Sequence, residues 1–124
     1  VDLKKKYFQG GVKTAAGRDR IVPIHSGIYD LVKRRIKRFG SLLNISTNAF
    51  RLSMYDALSR AGVEKHTPHD CRHTFSRLCE KYKVNENDRK RMLGHAFKGD
   101  ITNSVYGHRD LDDLREEIEK IKIS

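Results

Sequence analysis

The spacing of apolar residues changes character along the chain. Around Tyr7, Phe8, Ile21, Val22 and Ile24 it predicts two short strands, at about residues 6–13 and 19–24. A turn through Thr14, Ala15, Ala16, Gly17 and Arg18 joins them, and Pro23 ends the second. From Gly27 the spacing becomes helical. Ile28, Leu31, Val32, Ile36 and Phe39 form a stripe that Gly40 stops, while Lys33, Arg34, Lys37 and Arg38 occupy the other face. A second helix is expected from a Ser46 or Thr47 cap to about Ala61, with Phe50, Met54, Ala57 and Leu58 inward and Gly62 at its end.

Thr67 followed by Pro68 is a helix start, a capping hydroxyl with proline at the first helical position. The helix it opens is expected to reach about Tyr82, with Phe75, Leu78 and Cys79 in the core and His69 and Arg72 in its first turns. After Asn85 a short helix over 86–93 leads to Gly94-His95, then to a loop over 96–100 and a helical turn that presents Tyr106. Asp110 caps a last segment whose Leu111, Leu114, Ile118 and Ile121 make a narrow apolar seam. That seam either packs on its own domain or meets another subunit. The expected class is α+β: mostly α-helical, with a small N-terminal antiparallel β-hairpin. The parts are a hairpin over 1–24, a helical part over 26–109 and a C-terminal amphipathic helix over 110–124.

Composition narrows the partner. A chain of 124 residues with 37% hydrophobic content supports one domain with a modest core. Its formal net charge is +10, although residues 110–124 hold six acidic and three basic side chains, so the excess cation lies before them. Such a balance favours a polyanion, nucleic acid above all, bound in a salt-sensitive way. No apolar run approaches the ~20 residues of a membrane-spanning helix, and a soluble, cytoplasmic protein is expected. Cys71 and Cys79 lie eight residues apart on one helix, too far for a disulfide, and both read as small core residues. A zinc site would draw on His69, Cys71, His73 and Cys79, but paired cysteines are lacking, and no metal or other cofactor is expected.

The chemistry concentrates between His69 and His108. An imidazole and a guanidinium three residues apart share one helix face, His95 can join them from a turn, and Tyr106 offers a nucleophilic hydroxyl. That set suits phosphate-ester chemistry, because the positive end of a helix beside an arginine attracts an anion.

The runs Thr67-Pro68-His69-Asp70-Cys71-Arg72-His73-Thr74-Phe75, Met92-Leu93-Gly94-His95 and Val105-Tyr106-Gly107-His108 resemble the tyrosine recombinases of the phage integrase type. Upstream, Val12-Lys13-Thr14 and Gly17-Arg18-Asp19-Arg20-Ile21-Val22-Pro23-Ile24 resemble that family's lysine-bearing β-hairpin, so the resemblance covers almost the whole chain.

It implies site-specific DNA recombination, or integration, without metal. Tyr106 would attack the scissile phosphate to give a 3′-phosphotyrosyl intermediate, and Lys13 would protonate the leaving 5′-oxygen. Arg72 would clamp the phosphate while His69 and His95 manage protons. Arg18, Arg20 and Lys98 would contact DNA backbone. It further implies a bacterial, phage or mobile-element setting and a homo-oligomer, a tetramer on DNA, joined through the C-terminal helix. Two departures stand out. No arginine precedes Lys13, so the family's first catalytic arginine is missing and a C-terminal fragment of a catalytic domain, nearly inert alone, is expected. The stretch from His95 to Tyr106 is slightly long, which suggests a small insertion around 97–100. The rival readings are DNA relaxation of the type IB topoisomerase kind and a helix-turn-helix module without chemistry.

Overall fold

A computed structural model describes residues 1–11, 20–95 and 110–123. Strand β1 (Tyr7–Gly10) pairs antiparallel with β2 (Arg20–Pro23), Tyr7 opposite Pro23 and Gly10 opposite Arg20. Pro23 lies at the last paired position of β2, where its missing amide costs the ladder least. Five helices follow: α1 (Ser26–Phe39), α2 (Thr47–Arg60), α3 (Pro68–Lys81), α4 (Glu86–Leu93) and α5 (Leu111–Ile118). The mostly helical α+β architecture read from the sequence is the one observed.

Local signals account for the helix ends. The Ser46 hydroxyl accepts from the Ala49 amide at 3.1 Å, and the Asn85 side chain accepts from the Asp88 amide at 3.1 Å. At α5, Asp110 and Asp113 cap reciprocally, each carboxylate accepting from the other's amide. At α3 the Asp70 carboxylate accepts from the Thr67 amide at 2.8 Å. One start carries no sequence signal of the usual kind: His25 caps α1, its Nδ1 accepting from the Gly27 amide at 2.9 Å. Nε2 therefore carries the ring proton and donates to the Ile121 carbonyl at 2.6 Å.

The core gathers around α5. Leu114, Ile118 and Ile121 are buried against Cys79 of α3, Met92 of α4 and Val84 between those helices, with Val22, Phe75, Leu78 and Tyr82 at its margin. The C-terminal seam thus packs within its own chain. Three polar latches hold it there besides the apolar contacts. Buried Glu117 accepts from the Asn85 amide at 2.7 Å, Glu119 accepts from both the Ser26 amide and hydroxyl, and the Ile121 carbonyl takes the His25 proton. The helix offered from the sequence as a subunit contact is, in this structure, part of the protomer's own core.

Burial departs from the sequence pattern in three places. In α1 only Val32 is buried, while Leu31 is 59% and Phe39 40% exposed. In α2 no residue is buried, Phe50 is exposed and Ala57 lies at the surface. Helical periodicity marks which residues share a face, but not whether another element covers it. The guanidinium groups of Arg35 and Arg38 lie 4.1 and 5.2 Å from the Phe39 ring centre, which gives that exposed ring cationic cover. Cys71 also departs from expectation: it is exposed, whereas Cys79 is fully buried. Both thiols are free, and burial pushes that of Cys79 up to about 11.

Candidate functional site

The site is organised by the C-terminal end of α4. A helix leaves its last carbonyls without intrahelical partners, and these carry the negative end of its dipole. Here Gly94 takes the left-handed conformation at φ +77°, and the His95 amide turns back to the Lys90 carbonyl at 2.9 Å. Two carbonyls that remain are filled by arginines from elsewhere. Arg72 of α3 donates through Nη2 to the Leu93 carbonyl at 2.7 Å, and Arg20 of β2 donates through Nε to the Met92 carbonyl at 3.0 Å. Hairpin, α3 and α4 therefore meet at two adjacent peptide groups, one residue before Gly94-His95.

The Arg72 bond to Leu93 engages one of the guanidinium's five N–H donors and sets the plane of its fork. It also sets the charge around His95, an exposed imidazole. Partial desolvation, then the positive charges of Arg72, Arg89, Lys90 and Arg20, hold its pKa below the ordinary histidine range. Both effects favour the neutral imidazole, which can accept a proton on one nitrogen and donate from the other.

At the start of α3, His69 and His73 are both exposed on one face, their rings 4.8 Å apart and nearly perpendicular. Asp70 faces the preceding loop. The Thr67 backbone bond, with further help from the Thr67 side chain and from His66 at 3.5 Å, lowers its pKa. His73 does not pack in the interior. Among the described residues no group of three or more histidine, cysteine or acidic side chains gathers as a metal site.

Of the residues singled out from the sequence, His69, Arg72, His95 and Arg20 are described, and Arg72, His95 and Arg20 converge at the end of α4. Lys13, Arg18, Lys98, Tyr106 and His108 lie outside the described residues. Sequence reasoning did not find the anchoring carbonyls of Met92 and Leu93, because main-chain acceptors leave no trace in residue type. A second basic feature, an open cleft lined by Lys4, Lys5, Lys6 and Arg115 with Tyr29 and Glu119, lies at the opposite end of the hairpin from Arg20. Arg115 donates there to the Lys5 carbonyl. No helix among the described residues is long and apolar enough to cross a membrane.

The chain is 30% identical over 115 residues, 93% of its length, to the tyrosine recombinase XerA of Saccharolobus solfataricus. It spans 30% of the length of that curated relative. No protein-family model and no solved structure matches it.

Proposed function

We propose that the chain is the C-terminal part of the catalytic domain of a tyrosine recombinase and that, within a longer parent protein, it cleaves and rejoins double-stranded DNA. The observation that carries this reading is the bond from Arg72 to the Leu93 carbonyl, which brings the His69–Arg72 helix against the Gly94-His95 turn. Those are two of the three sequence runs the chemistry requires. The likeness to a tyrosine recombinase over 93% of the chain supports the same reading.

In the proposed reaction the Tyr106 oxygen attacks the scissile phosphorus, and the new phosphorus–oxygen bond forms as the bond to the 5′-oxygen breaks. Lys13 gives its proton to that oxygen, and His95, neutral at the outset, takes the tyrosine's. Arg72 and His69 donate to the non-bridging oxygens where charge develops. The phosphotyrosyl ester keeps the bond energy, so a 5′-hydroxyl from another strand reverses the step and exchanges the DNA. Arg18, Arg20 and Lys98 add backbone contacts. The chain spans 30% of the length of its recombinase relative, and in this reading a second clamp arginine lies outside the 124 residues, which by themselves are nearly inactive.

The active assembly is a homo-oligomer, a tetramer on DNA, in the host cytoplasm. For the C-terminal helix to join subunits, it would first have to release the Ser26, Asn85 and His25 latches. Recombination and type IB relaxation share this chemistry and separate by substrate. The parent is expected to exchange strands between two matched duplex sites; relaxation of supercoiled DNA without exchange would favour the topoisomerase reading.

A further inference from the structure

We propose that His69 and His73 form a two-histidine chelate for a divalent ion of the zinc, nickel and copper class. Two histidines four residues apart on a helix project from one face, the arrangement that helical zinc motifs use for their first two ligands. Both side chains are exposed, and the described residues give neither ring a hydrogen bond that would have to break.

The ring geometry suits the ion. With a metal–nitrogen bond of about 2.0–2.1 Å and a further ~1.2 Å to the ring centre, two imidazoles on one tetrahedral ion place their centres about 5 Å apart. The His69 and His73 centres are 4.8 Å apart, and their planes meet at 87°. One nitrogen of each ring would ligate the ion, and water would fill the remaining positions.

Other described histidines differ. Both nitrogens of His25 are bonded, to the Gly27 amide and the Ile121 carbonyl. His66 lies against the Asp70 carboxylate, and His95 is surrounded by arginine and lysine charge. The Arg72 guanidinium, the nearest cation in sequence, is drawn away to the Leu93 carbonyl. Imidazole ligands select this class of ions over magnesium and calcium, with copper the strongest.

A consequence rests on the proposed function: a metal on His69 removes it from the scissile phosphate, so strand cleavage is inhibited by micromolar zinc or copper. The test starts with Cu²⁺ and Zn²⁺ titrations of the full chain, followed by calorimetry and by the copper spectrum. One ion per chain is expected, and His69→Asn and His73→Asn should each weaken it by about tenfold or more, whereas His66→Asn leaves it unchanged. Absence of binding, or binding that both substitutions leave intact, overturns the chelate. A second arm measures cleavage by the parent with and without zinc, as a ratio within each variant. Zinc should slow the wild type and spare His73→Asn. Binding to the pair without any slowing would leave the chelate standing and count against His69 in the reaction.

Discussion

Arg72 reaches across from the third helix to donate to the Leu93 carbonyl at 2.7 Å, and so fixes where a guanidinium stands relative to the Gly94-His95 turn. The bond satisfies a helix-end carbonyl and orients the guanidinium that we propose as the phosphate clamp. Arg20 repeats the arrangement one residue earlier, on Met92.

Arg72→Lys therefore tests more than charge. A lysine ammonium is a point donor on a flexible stem, unable to hold a carbonyl and present a planar fork to phosphate together. Strand cleavage by the parent is expected to fall by roughly 10²–10³-fold, the usual cost of losing one aligned transition-state donor. DNA affinity should change far less, because phosphate contacts elsewhere are numerous. Cleavage near the wild-type rate would remove Arg72 from the site.

His95 gives a pH signature. Desolvation and the surrounding cations hold it below the ordinary imidazole value of about 6.5. The unfolded chain thus takes up this proton first as pH falls. Folding loses stability from His95 between the ordinary value and the lowered one, and no more below it. In an NMR titration the His95 ring should have its midpoint below 6.5, and Arg72→Ala should move that midpoint upward by removing one repelling charge. A midpoint at or above the ordinary value would contradict the placement of Arg72 beside it.

Much of this was legible beforehand, and the parts that were not share a cause. Ser46, Asn85, Asp110, Gly40 and Gly94 mark helix ends through side-chain caps or through freedom at positive φ, which are local properties of residue type. Leu114, Ile118 and Ile121 announce an apolar seam by spacing, but their partner, Cys79 with Val84 and Met92, is a tertiary matter. The same limit explains Phe50 and Leu31, whose helical phase reads as inward although they lie at the surface. His25 as a cap, and the Leu93 and Met92 carbonyls as anchors, carry no compositional signature at all.

The packing of the C-terminal helix is open to a direct check at Cys79. Ile118→Ala removes buried methyl groups from that cluster, at a cost of about 2–5 kcal/mol if the cavity does not collapse. In the native chain a thiol reagent should label exposed Cys71 quickly and leave Cys79 alone, buried and with its thiol pKa near 11. In Ile118→Ala, Cys79 labelling should accelerate in step with the lost stability. Equal labelling of both cysteines in the unaltered chain would show that the helix does not cover the core as described.

Covalent capture decides whether Tyr106 is, as we propose, the nucleophile of a DNA strand transferase. The parent protein and its Tyr106→Phe variant would each be offered a nicked duplex from which the 5′-hydroxyl product diffuses away. A protein–DNA adduct, mapped to Tyr106 and joined through a 3′-phosphate, is expected for the parent, and none for the variant. Equal adduct from both would contradict the proposal.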